Sequence, residues 1–177
     1  GEGQARGIVI GIVGMPVRIV APAPTPGGTL NVGDVISAGD ELRVGTGEQV
    51  ALLWDHRAVL TLREGARMNI QESHRGQTEL LLHQGMVRIA LSYNAGRMPD
   101  TLTLQTPLAR VVSRGGIMEA TVLGGERQSL LARLITAPPG DTLRVLEGQA
   151  RVEPLTGDRK AFSLKAGTEF ALRTGMV

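Results

Sequence analysis

The segment Thr106-Pro107-Leu108-Ala109-Arg110-Val111-Val112-Ser113-Arg114-Gly115-Gly116-Ile117-Met118-Glu119-Ala120-Thr121-Val122 restricts the folds open to this chain more than any other. Pro107 locks its own φ and pushes Thr106 towards extended backbone. Leu108, Val111 and Val112 supply apolar positions before Gly115-Gly116, and Ile117, Ala120 and Val122 resume the pattern afterwards. The segment reads as a proline-started strand, a bend and a second strand. The two glycines supply φ > 0 or a bulge where a β-branched residue would be strained. Arg114 has two readings: a solvated side chain on a strand edge, or a half-buried guanidinium tying the bend to carbonyls or to Glu119.

The rest of the chain repeats this grammar. An apolar residue, two others and a glycine recur at Leu62-Arg63-Glu64-Gly65, Leu82-His83-Gln84-Gly85 and Leu164-Lys165-Ala166-Gly167, with Val145-Leu146-Glu147-Gly148 a close variant. Each reads as a strand, a glycine turn and a return strand. Ile8–Val13, Val17–Val20, Val50–Leu62, Met86–Leu91, Leu143–Leu155 and Thr168–Arg173 are further strand candidates, rich in alternating or β-branched residues. Short strands at such regular spacing predict an all-β single domain, a sandwich, a roll or a short solenoid-like barrel. Residues 8–173 form the expected domain and 1–7 a flexible N-terminal segment. The one place for a short helix is 126–135, where Leu130, Leu131, Leu134 and Ile135 fall at helical spacing, although a strand hairpin fits the surroundings better. Ala137-Pro138-Pro139-Gly140-Asp141 reads as a turn.

Two Gly-Asp pairs, Gly33-Asp34 and Gly39-Asp40, are expected to be turns whose carboxylates cap nearby amides. A calcium site would need six to eight oxygens, and the dense acidic loop that supplies them is missing. Pro22, Pro24 and Pro26 alternate along Ala21–Gly28, which predicts an extended, stiff surface segment or a docking segment for a partner.

Function classes narrow by what is missing. The chain has no cysteine, so it has no disulfide, thiolate metal site or lipid-anchoring cysteine. His56, His74 and His83 match no compact metal-ligand spacing, the serines lie in no nucleophile elbow, and no glycine loop ends in the Lys-Ser/Thr of a phosphate cradle. No catalytic residue, metal or cofactor is expected. A net charge of +2, with 19 basic and 17 acidic residues well mixed, and only one Trp, one Tyr and two Phe argue against nucleic-acid binding. The apolar run Gly7–Met15 is too short to span a bilayer, and no signal peptide is visible before it.

In their order along the chain, these motifs resemble those of the FecR-type periplasmic domain. That family has Thr-Pro, a few residues, Val-Arg-Gly-Thr and a strand; here Thr106-Pro107 leads to Ser113-Arg114-Gly115-Gly116, departing on both sides of Arg-Gly. The paired Gly-Asp turns lead into Gly45-Thr46-Gly47, and the next hairpin is turned by Asp55-His56-Arg57 where the family has Asp-Gly. The resemblance implies an exported, periplasmic all-β module. Its best-known members are inner-membrane regulators relaying a signal from an outer-membrane siderophore receptor to a cytoplasmic sigma factor. The expected function is a non-enzymatic protein-binding or scaffold module, an accessory subunit of a cell-envelope assembly. Its partners would be other envelope proteins, recruited by edge-strand addition or self-assembly. One alternative is the periplasmic sensing portion of a FecR-like anti-sigma regulator. A second is a cell-wall ligand-binding or hydrolytic domain, which needs carboxylates such as Asp34, Asp40 and Glu119 in one cleft.

Overall fold

The computed structural model describes residues 6–20, 25–72, 78–92, 101–123 and 140–173. Among them there is no helix, and fourteen strands form one mixed sheet. The strands are β1 (Arg6–Val13), β2 (Val17–Val20), β3 (Thr25–Thr29), β4 (Val35–Ser37), β5 (Glu41–Arg43), β6 (Gln49–Trp54), β7 (Ala58–Leu62), β8 (Arg67–Glu72), β9 (Thr78–Leu91), β10 (Leu102–Gln105), β11 (Ala109–Leu123), β12 (Gly140–Pro154), β13 (Phe162–Lys165) and β14 (Thr168–Arg173). The sheet does not close into a barrel, and the architecture is that of the expected all-β sandwich or roll. Segment 126–135 lies outside the described residues, as do Pro22, Pro24 and His74. β1 begins at Arg6, paired with Ser37, so strand pairing starts ahead of residue 8.

The pairing divides the sheet into two layers that share strands. One layer runs β4-β1-β6-β7-β9-β11-β12-β14, using the second half of β9, the second half of β11 and the first half of β12. The other runs β3-β2-β5-β8-β9-β10-β11-β12-β13, using the remaining halves of the same three strands. The inward residues of both layers make up one apolar core with Trp54, Leu60, Met68, Leu80, Ile89 and Leu104 fully buried.

Each long strand crosses between layers at a left-handed glycine: Gly85 (φ 82°) in β9, Gly116 (φ 103°) in β11 and Gly148 (φ 79°) in β12. A residue inserted into the ladder at such a fold changes which parity of side chains faces the core. The added residue is visible as a change of buried parity. In β9 the buried positions shift from Leu80 and Leu82 to Val87, Ile89 and Leu91. In β11 they shift from Ala109, Val111 and Ser113 to Met118, Ala120 and Val122, and in β12 from Leu143 and Val145 to Ala150 and Val152. Ladder irregularities mark the same places.

Because Gly85 pairs with Val122 while Gly116 pairs with Leu91, β9 folds at one end of the layer and β11 at the other. The two folded flaps meet where β10 lies parallel to β9 and antiparallel to β11. The same glycine pattern also makes true turns: Gly65 (φ 78°) joins β7 to β8, and Gly167 (φ 84°) joins β13 to β14. Gly157 shows the contrast with a crease. It has φ 76°, but an added Cβ meets nothing within 4 Å.

Candidate docking surface

The Thr-Pro motif is a hairpin clamp. Thr106 N–H donates to the Ala109 carbonyl at 2.8 Å, and Ala109 N–H donates to Thr106 Oγ1 at 3.1 Å, so Pro107-Leu108 makes a two-residue turn between β10 and β11. Pro107 is exposed at the tip, where a missing N–H costs nothing. Thr106 Oγ1 donates to the Asp141 carboxylate, and Leu108 N–H donates to the same oxygen at 2.8 Å. Asp141 is 2% exposed. It starts β12 in the other layer, so it ties the two layers together. Residues Gly140 and Asp141, expected in a turn, are therefore strand; Gly140 pairs with Arg173 there, and an added Cβ would sit 2.3 Å from the Leu172 carbonyl oxygen. Burial pushes the Asp141 carboxyl above the usual carboxylate range, opposed by the hydrogen bonds from Thr106 and Leu108.

The Gly-Asp pairs are two copies of one device. Asp34 N–H donates to the Asn31 carbonyl at 3.0 Å while Asn31 N–H donates to Asp34 Oδ2 at 2.8 Å. Asp40 N–H and Ser37 N–H repeat this at 3.1 and 3.0 Å. Gly33 (φ 95°) and Gly39 (φ 97°) hold the third position of each turn. Asp40 is 7% exposed, with the Arg18 guanidinium 4.0 Å away. Arg114 is exposed and makes no ion pair among the described residues; it is solvated, but on the inner strand β11 and not at a strand edge. Pro26, expected in a surface segment, pairs with Ile19 in β3, an edge strand where a missing donor is tolerated.

The carboxylates Asp34, Asp40 and Glu119 are not brought into one cleft. The first two flank β4, and Glu119 lies five strands away on β11 between Arg88 and Arg144. No group of three or more metal-ligating side chains occurs among the described residues.

The outer face of the β4–β14 layer divides in two. Across β9, β11, β12 and β14, one row of opposed residues reads Arg88, Glu119, Arg144, Glu169, opposite charges at each step. Continued onto β7, β6 and β1, the same row reads Thr61, Ala51, Gly11. The next row reads Val35, Ile8, Leu53, Val59. None of these seven is charged. Of the ten exposed large apolar side chains among the described residues, three, Ile8, Val35 and Val59, lie side by side in that row. Adjacent exposed apolar side chains are what a docking surface presents.

A cavity of about 200 Å³ opens on that face, lined by Ile8, Val35, Leu53 and His56. His56 sits at the β6–β7 turn with φ 54°, beside Asp55 at 51°. Two consecutive non-glycine residues in the left-handed region cost about 1–2 kcal/mol each. Below them, the Trp54 ring covers Gly7: an added Cβ would lie 2.6 Å from Trp54 Cε3, so the indole occupies the place of a side chain on β1.

On the opposite layer, Arg67 Nε reaches Glu41 Oε1 at 2.7 Å, and His83 Nε2 shares a hydrogen bond with Asn69 Oδ1 at 2.6 Å. Partial burial, with the Arg67 charge second, lowers the His83 pKa below its ordinary 6.5, and Glu41 opposes this. The unfolded chain then takes up the proton first as pH falls, so stability is lost as pH drops through the window below 6.5. Denaturation curves between roughly pH 7.5 and 5.5 should show this loss, and His83→Gln should reduce it.

No protein-family model matches the chain, and no curated protein matches it. Its fold is similar to that of a Parabacteroides distasonis protein described as a "putative anti-sigma factor", seen in crystal structures at 1.65 and 2.50 Å resolution. The TM-scores are 0.58 and 0.56, with 15% identity over 76% of this chain in both. The match spans 55% of the length of that protein, and at this identity the likeness is one of fold.

Proposed function

We propose that this chain is a non-enzymatic protein-docking module of the cell envelope, working in the periplasm as an accessory or scaffold subunit, with the β4-β1-β6-β7 face as its contact surface. The observation that carries this reading is the uncharged half of the outer face, with its row Val35, Ile8, Leu53 and Val59 and the cavity beside His56. The neighbouring half of the same layer carries the alternating-charge row Arg88, Glu119, Arg144 and Glu169, which suits a solvated sheet face; the uncharged half needs cover.

Val35→Glu and Val59→Glu test it, because both side chains belong to that row and are exposed, at 48% and 37%. Each is expected to change stability by no more than about 0.5 kcal/mol. Each should also lower recovery of the stoichiometric partner, in a crosslinked pull-down from membranes and periplasm, by about tenfold or more. Unchanged recovery with both variants would remove this face from consideration.

A second reading, the periplasmic sensing portion of a FecR-like anti-sigma regulator, draws support from the fold shared with the Parabacteroides protein. The same pull-down separates the two. A large envelope assembly favours the scaffold, and an outer-membrane receptor with a sigma factor favours the regulator.

A further inference from the structure

The geometry points to β14 as a self-association edge, through which two copies of this chain pair antiparallel and join their layers into one sheet. The two ends of the β4–β14 layer are built differently. At one end β4 is three residues long, and its edge groups are occupied: Arg18 Nη1 donates to the Val35 carbonyl at 2.8 Å and Ser37 N–H donates to Asp40 Oδ2 at 3.0 Å. Natural sheets blunt an edge in this way. At the other end β14 runs six residues, Thr168-Glu169-Phe170-Ala171-Leu172-Arg173, in unbroken register with β12. It has no proline, no lysine and no bulge, and among the described residues it pairs with β12 alone.

The strand is complementary to itself. In an antiparallel pair, directly opposed residues share a face, so a two-fold pairing of β14 is restricted to registers centred on one of its own residues. Centred on Ala171, it sets Glu169 against Arg173 of the second copy at both ends, with exposed Ala171 facing its twin on the axis. Centring on Glu169 or Arg173 would oppose like charges, and centring on Thr168, Phe170 or Leu172 leaves Glu169 without a basic partner.

The core side fits the same register, which brings Phe170 against Leu172 of the second copy. Phe170 is only half-buried, held edge-on to Phe162 at 4.7 Å between centroids, with the Arg159 guanidinium 5.5 Å from its ring centre. The apolar end of the roll is thus closed by one aromatic pair and one cation, and a second copy would extend the core across the junction. This edge lies at the opposite end of the layer from the docking face, so the two surfaces stand or fall separately.

Sedimentation velocity of the 177-residue chain over about 5 to 500 µM tests the pairing. A monomer–dimer equilibrium is expected. Ala171→Lys, which puts two ammonium groups on the axis, should abolish it. Glu169→Arg should weaken it by at least about tenfold, and adding Arg173→Glu to that variant should restore it. Circular dichroism melts confirm that each variant is folded before its association is read. A monomer at every concentration, or a dimer that both Ala171→Lys and Glu169→Arg leave intact, overturns the assignment.

Discussion

Gly116→Ala is expected to unfold the protein or bring it close to unfolding. An added Cβ would lie 2.1 Å from the Glu147 carbonyl oxygen and 2.8 Å from its carbon. Both atoms are backbone of the paired strand, so no side chain can swing away. The residue also sits at φ +103°. Overpacking against backbone and the loss of a left-handed glycine together should cost roughly 4 kcal/mol or more, a large share of the roughly 5–15 kcal/mol that stabilises an ordinary domain. Gly157→Ala is the matched comparison: φ is +76°, but the space is open, so only the conformational cost of about 1 kcal/mol is expected. Urea denaturation of the two variants measures the difference, which isolates the crease from the general preference of glycine for positive φ.

Asp141→Ala should be the next most damaging substitution. It strips the acceptor from two buried donors, the Thr106 hydroxyl and the Leu108 N–H, at the point where the layers are tied together. Losing both bonds leaves the buried Leu108 N–H unsatisfied and the Thr106 hydroxyl only the Ala109 carbonyl at 3.3 Å, which predicts a loss of about 2–4 kcal/mol. Asp141→Asn keeps an oxygen for both donors and should cost less. The pair also carries a pH signature. Because the folded carboxyl is raised above 3.8, the folded state holds a proton that the unfolded state has released. Stability contributed by this group therefore falls as pH rises from 3.8 towards the folded value, and Asp141→Asn removes that slope. Denaturation midpoints for the two proteins across the acid range should differ by that slope.

What could be read directly from the residues was whatever local chemistry determines. β2 and β14 fall at their expected bounds, and both Gly-Asp turns use their carboxylates as amide caps. The crease glycines were harder. Leu82-His83-Gln84-Gly85 and Leu62-Arg63-Glu64-Gly65 look alike, yet Gly85 bends one continuous strand and Gly65 reverses between two. A left-handed glycine permits both, and the choice depends on which distant strands the flanks find. Asp141 follows two prolines and reads as part of their turn, although its parity with Leu143 and Val145 puts it on the core side, where a lone carboxylate demands a partner. The uncharged face was not legible at all. Val35, Ile8, Leu53 and Val59 become neighbours only through cross-strand register, and each alone is an ordinary apolar residue in an ordinary strand.

The shared strands also fix how the molecule can come apart. In a sandwich of two separate sheets, one sheet can fray while the other persists. Here β9, β11 and β12 belong to both layers, so pulling either layer open breaks ladders in the other. Native-state hydrogen exchange should therefore find a single foldon spanning all three strands, with amides on both sides of Gly85, Gly116 and Gly148 exchanging at the rate of global unfolding. A module anchored at one end and loaded at the other would hold its shape under that load until it yielded all at once.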